Sequence, residues 1–264
     1  MSKRKHDFNC ILPITLSQNF LTSRKIIERL VKRTSINESD HVVEIGAGKG
    51  HITRVLMEYC RSVSAVELDK KLYDKLVEKC GECEKLMLYN SDFMKWKLPN
   101  NGAYKVFANI PFNRTTDIVR KLTEHKNPPK EAWLIMEKDA AKRFVGAPKE
   151  NLRSLLLKPL FELSIIYYFK REDFHPMPRV DVVMLHIRKK AARDVPYTQW
   201  QSYQRFTETG FANRKEGLLC LFTKKQLAIA CKAAGVNDIT AGDILYIQWL
   251  CLFRSYCGLK RQHR

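Results

Sequence analysis

The stretch "HVVEIGAGKGHITRVLMEYC", residues 41–60, constrains the fold more than any other. An apolar, β-branched run meets Gly46, Gly48 and Gly50, and a helical pattern of apolar residues follows at once. A strand that turns into a helix through residues without side chains presents bare backbone to whatever lies at the strand tip. Such a turn suits a nucleotide-like ligand. Its spacing is G-x-G-x-G, because His51 stands where a dinucleotide fingerprint needs its last Gly or Ala, and no Gly-Lys-Ser/Thr follows as in a P-loop. Glu44, just ahead of the turn, would repel a phosphate and attract an ammonium group. An adenosyl ligand carrying a positively charged amino-acid part fits these residues better than NAD or ATP.

The rest of the chain repeats the alternation. Strands are expected at 41–46, 62–69, 85–92, 104–111, 132–137, 163–170 and 181–187. Between the early ones, "HITRVLMEYC", "KKLYDKLVEKC" and "TTDIVRKLTEH" carry apolar residues at helical spacing. This order predicts an α/β fold with a mainly parallel, seven-stranded sheet covered by helices on both faces, its last two strands antiparallel at one edge. After about residue 189 the strand signal stops. "KKAARDVP" reads as a linker, and 197–264 as a small α-helical domain. Residues 1–16 read as a basic arm and 17–188 as the main domain.

Charge narrows the partners. Forty-seven Lys+Arg against 28 Asp+Glu give a formal net charge of +19, which favours a polyanion: nucleic acid first, an anionic membrane surface second. The apolar runs at 11–16 and 243–258 are too short to span a bilayer, so neither an anchor nor a signal peptide is expected. Eight scattered cysteines form no disulfide framework, and Cys80 and Cys83 have no second pair at zinc-like spacing. We expect a cytoplasmic protein without a metal site. Basic residues crowd "TSRKIIERLVKR", "EKDAAKRF" (Lys138, Lys142, Arg143) and the tail with Arg254, Lys260, Arg261 and Arg264. Each is a solvated face or a contact for an RNA backbone.

Glu67 follows the glycine turn at about the 20-residue offset where an acid meets ribose hydroxyls, and Asp92 closes the third strand, placed to accept from an adenine amino group. With these residues, "SQNFLTS", "EIGAGKGHIT", "VELD", "SDF", "NIPF" and "FHPMPRVD" resemble Rossmann-like methyltransferases that use S-adenosylmethionine, and more closely the ribosomal RNA adenine N6-methyltransferase family. The resemblance covers nearly the whole chain. It implies S-adenosylmethionine bound near Asn19, Leu21, Glu44, Gly46, Gly48, Glu67, Asp92 and Asn109. It also gives the "NIPF" segment a role. The adenine amino group is a poor nucleophile because its lone pair is delocalised into the ring. Two acceptors, the Asn109 side-chain carbonyl and the Ile110 backbone carbonyl, would draw that pair out of conjugation. Phe112 would stack on the swung-out base, and Phe174 would offer a second aromatic face to the transient cation. His175 receives no role.

Within the family, "NIPF", "SQNFLTS" and "GAGKGHIT" agree with the Erm-type branch, which methylates one adenine of large-subunit ribosomal RNA and so blocks macrolide, lincosamide and streptogramin B drugs. Phe112 stands where many of those enzymes have Tyr. The alternatives are the housekeeping enzyme that dimethylates small-subunit RNA, and a non-catalytic nucleic-acid-binding relative. Ribosomal RNA is the expected partner, free large-subunit RNA before assembly, and a monomer the expected state.

Overall fold

The computed structural model describes residues 19–80, 83–212, 214–237, 239 and 244–262; the side chains of 214, 215 and 260–262 are outside that description. The expected arm at 1–16 and the basic side chains of Lys260, Arg261 and Arg264 therefore lie outside the described residues.

In chain order the main region runs β1 (Phe20–Leu21), α1 (Arg24–Val31), β2 (His41–Ile45), α2 (His51–Tyr59), β3 (Ser62–Glu67), α3 (Lys70–Cys80), β4 (Leu86–Asn90) and β5 (Lys105–Asn109). It continues with α4 (Thr115–Glu124), β6 (Glu131–Glu137), α5 (Lys138–Val145), α6 (Leu152–Leu157), β7 (Phe161–Tyr168), β8 (Phe174–His175) and β9 (Val182–Lys189). Seven of these strands form one sheet in the order β4-β3-β2-β5-β6-β9-β7. From β4 to β6 all neighbours are parallel, while β9 runs antiparallel to both β6 and β7. The expected antiparallel pair is thus present, with β7 at the edge.

Both faces are apolar because both are covered. Along β2, Val42 packs into one core cluster and Val43 into the other; along β5, Phe107 and Val106 divide in the same way, as do Trp133 and Leu134 in β6. Period-two alternation with apolar residues at every step is what a central strand between two helical layers requires. The strand ends nearest the site are shorter than the sequence suggests. The ladder stops where Gly46 takes φ +74°, where Glu67 accepts the Asp69 N–H, and where Pro111 begins a turn.

Two elements carry no readable periodicity. β1 and β8 make a two-residue antiparallel pair, Phe20 with His175 and Leu21 with Phe174. Helix α6 opens on a reciprocal cap: Asn151 accepts from the Ser154 N–H, and the Ser154 hydroxyl accepts from the Asn151 N–H. Its Leu155 joins a third core cluster with α7 (Trp200–Ala212), α8 (Arg214–Leu221), α9 (Lys224–Ala234) and α10 (Tyr246–Gln262). The Tyr203 hydroxyl donates to the Leu155 carbonyl at 2.9 Å, within the third cluster. Among the described residues no helix is long and apolar enough to cross a membrane.

Candidate active site

The tips of β2, β3, β4 and β5 surround a cavity of about 980 Å³, its mouth included. Gly46 and Gly48 form its floor at φ +74° and +57°, a region open to glycine at no steric cost. At Gly48 space is also limiting: an added Cβ would lie 2.8 Å from the Phe20 ring.

Glu67, at the end of β3, is 4% exposed and lines the cavity. One carboxylate oxygen accepts the Gly48 N–H at 2.7 Å and the other the Asp69 N–H at 2.8 Å. Burial raises its pKa, and these backbone donors oppose the rise. The acid thereby fixes the glycine turn. Each oxygen retains a lone pair for a ligand hydroxyl. Asp92 accepts the Met94 N–H through Oδ1 at 2.8 Å, which holds the following loop against the cavity, where Phe93 and Met94 form part of the wall.

Asn109 ends β5. Its Nδ2 donates to the Asn19 carbonyl at 2.7 Å. A carbonyl can only accept, so the amide nitrogen must face it, and Oδ1 is left as an acceptor for a ligand. Ile110 also lines the cavity, its N–H donated to the Ile135 carbonyl at 3.1 Å. Pro111, at φ −64°, then starts the 3-10 turn Phe112–Arg114 that puts the half-buried Phe112 ring at the cavity wall.

Of the residues expected at the site, Asn19, Gly46, Gly48, Glu67, Asp92, Asn109, Ile110 and Phe112 line this one cavity. Three do not. Glu44 is 1% exposed within β2, with both carboxylate oxygens lacking a hydrogen-bond partner. Burial pushes its carboxyl up to about 8; the nearby Thr53 offsets part of that rise without a hydrogen bond of full geometry. Direct contact with a ligand ammonium is therefore not built here. Leu21 and Phe174 face each other across the β1–β8 pair and turn into the core, 2% and 4% exposed, with Phe174 tilted 5.2 Å from Phe169. The second aromatic face expected of Phe174 is absent from the cavity in this conformation.

The model for the ribosomal RNA adenine dimethylase family matches residues 12–247. The chain belongs to that family. Ribosomal RNA adenine dimethylases share the fold of S-adenosylmethionine-dependent methyltransferases. An rRNA adenine N-6-methyltransferase of Limosilactobacillus reuteri is 34% identical over 240 residues, 91% of this chain and 95% of that protein. One from Escherichia coli is 33% identical over 243 residues, 92% and 96% of the two chains. Among solved structures, the 23S rRNA methyltransferase ErmE superposes with a TM-score of 0.83 at 25% identity, covering 90% of this chain and all of the other. A dimethyladenosine transferase of Plasmodium falciparum shares the fold, with a TM-score of 0.68 at 20% identity over 90% and 97%.

Three residues that were not among the expected site residues also build this site: Phe20 and Leu68, inside the quoted motifs, and Lys121, outside them. Phe20 packs on Gly48 and sits 5.0 Å beneath the Lys49 ammonium. Leu68, half-exposed at the β3 tip, adds an apolar wall. Lys121 of α4 donates to the carbonyls of Phe93, Met94 (3.0 Å) and Trp96 (2.5 Å), clamping the loop after Asp92. Burial lowers its pKa, and Asp92 opposes that. Of the helix α5 cations, Lys138 is held by Asp181 at 3.2 Å and Lys142 by Asp139 at 3.8 Å, as on a solvated face.

Proposed function

We propose that this protein transfers a methyl group from S-adenosylmethionine to the N6 amino group of an adenine in large-subunit ribosomal RNA, giving resistance to macrolide, lincosamide and streptogramin B antibiotics. The observation that carries the chemistry is the Asn19–Asn109 bond at 2.7 Å, which fixes the polarity of the Asn109 amide.

The residues present fit the cofactor. The left-handed glycine turn bares backbone at the cavity floor, and Glu67, bonded to the Gly48 N–H, keeps lone pairs that would suit ribose hydroxyls. Asp92 would suit the adenine amino group, and Leu68 and Phe93 would supply apolar walls for the base. When bound, S-adenosylmethionine supplies an electrophilic methyl carbon. The protein's part is to prepare the nucleophile. Asn109 Oδ1 and the Ile110 carbonyl accept the two N6 hydrogens, so the nitrogen lone pair turns out of the ring plane toward the methyl donor. Phe112 stacks on the base after it leaves its helix or loop, and its ring face steadies the charge of the methylated amine until a proton departs. Arg114, exposed at the mouth and 3.7 Å from Asp117, is our candidate to meet the phosphate of the same nucleotide. The helical region beyond residue 196 adds basic surface for the RNA.

The large-subunit target rests on "NIPF" and "GAGKGHIT" and on the likeness to the 23S rRNA methyltransferase ErmE over that chain's full length. Small-subunit dimethylation is the second reading, since the family description names a dimethylase. One experiment separates them: expression in a drug-sensitive bacterium, with primer extension on both ribosomal RNAs and a macrolide susceptibility measurement. A stop at one large-subunit adenine together with raised drug tolerance is expected. Modification confined to small-subunit RNA would overturn the assignment.

A further inference from the structure

Helix α1 is divided by charge. Ile27, Leu30 and Val31 face the core at 0–1% exposure, while Lys25, Arg29, Lys32 and Arg33 are exposed and line one groove with Glu28. Lys25, Arg29 and the C-cap Lys32 recur at i, i+4 and i+7 and so share one face, and Arg33 joins the same groove from the turn that follows the helix. Glu28, the groove's acid, is already ion-paired with Arg24 at 2.7 Å, and Arg24 is shared with Glu58. Among the described residues, none of the four cations makes a salt bridge. On α3, by contrast, Lys70 of the exposed face is paired with Asp74. Like charges at helical spacing repel, so a face of this kind costs stability until an anion lies on it. Arg33 is the most fixed of the four, its guanidinium 5.3 Å over the Tyr167 ring.

We propose that the α1 groove is a second docking site for the substrate RNA, holding its phosphodiester backbone apart from the flipped adenine. The inference rests on the reading of RNA as substrate and adds the surface that anchors it. Position supports the occupant. Asn19 and Phe20 line the catalytic cavity and α1 opens four residues later at Arg24, so the groove, along about 12 Å of helix, starts within a few residues of the cavity wall. A lipid surface fits less well, because the apolar side of α1 is buried in the core and has nothing to insert. Phosphate contacts of this kind add affinity and register without reading sequence.

The test is the salt dependence of RNA binding by the full chain, read by fluorescence anisotropy with a hairpin from large-subunit RNA. In the triple variant Lys25→Gln/Arg29→Gln/Lys32→Gln, Arg33 is kept for its packing on Tyr167. The slope of log affinity against log salt should fall by about 0.7–0.9 for each phosphate that is no longer neutralised, about 2–3 in all. S-adenosylmethionine affinity should hold, and the melting temperature of the RNA-free protein should not fall, since the repulsion on this face is relieved. Arg29→Lys, which keeps the charge, should retain the wild-type slope. An unchanged slope in the triple variant overturns the proposal, as does loss of binding to anionic phosphatidylserine vesicles with RNA binding intact. An Arg29→Lys slope as low as that of the triple variant overturns it too. Because binding is read without methyl transfer, a wild-type protein that modifies no large-subunit RNA would sink the functional reading and leave this test standing.

Discussion

On the Glu67 side of the cavity both acids already hold backbone: Glu67 takes the Gly48 and Asp69 N–H groups, Asp92 takes Met94, and Lys121 clamps the loop after Asp92. On the Phe112 side the ring is half-buried, and Asn109 is fixed through its nitrogen alone, with its oxygen left over. The first side is finished before any ligand arrives, as a cofactor pocket can be when it always meets the same molecule. On the proposed reading the second is completed by the base. Substitutions should therefore separate, those on one side moving cofactor affinity and those on the other moving turnover.

The sharpest test of that division is Asn109→Ala. Loss of one positioned acceptor should lower kcat about 100- to 1,000-fold, with S-adenosylmethionine binding still measurable by calorimetry. Near-normal turnover would remove the acceptor argument. Phe112→Ala comes next. Base stacking worth about 1–3 kcal/mol predicts a loss of about 5- to 150-fold in kcat/KM for RNA, while Phe112→Tyr keeps the ring and stays within about 3-fold. Equal losses in both would break the stacking role. On the other side, Gly48→Ala places a Cβ 2.8 Å from the Phe20 ring at φ +57°. About 1–2 kcal/mol of strain should weaken cofactor Kd about 5- to 30-fold and leave the RNA term alone. Lys121→Met should raise the cofactor KM about 2- to 5-fold with kcat nearly kept, a split that steady-state kinetics reads directly.

The smallest effect on catalysis is expected at Glu44, whose buried carboxyl is pushed up to about 8 from 4.5. Between those values the folded protein holds a proton that the unfolded chain has released. Its stabilising contribution is present in full below about 4.5, falls as pH rises, and levels off above about 8. The slope for one proton is at most about 1.4 kcal/mol per pH unit. Glu44→Gln should flatten melting temperature against pH across that window and barely change cofactor KM. A large rise in KM would return Glu44 to the binding site.

Much of this was legible in the chain because the signals are local. The order of strands and helices, the glycine turn and the tip acids Glu67 and Asp92 follow from residues close in sequence. The differences arise where partners are distant or an element is too short to show a period. Glu44 and Glu67 look alike as acids near strand ends, yet Glu44 precedes the last residue of β2 and points into the core, whereas Glu67 ends β3 beside Gly48. The side Phe174 takes is set by a two-residue pairing with Leu21, which has no periodicity to read. Lys121 meets carbonyls 25 to 28 positions away, and a lysine on a helix carries no mark of such a contact.

Helix α4 starts directly after the Phe112–Arg114 turn, and further along it Lys121 grips the loop that follows Asp92. A small tilt of this rod on engagement of the purine would be transmitted as strain or relief at the opposite wall. Affinity for either substrate would then depend on occupancy by the other, to the same factor in both directions.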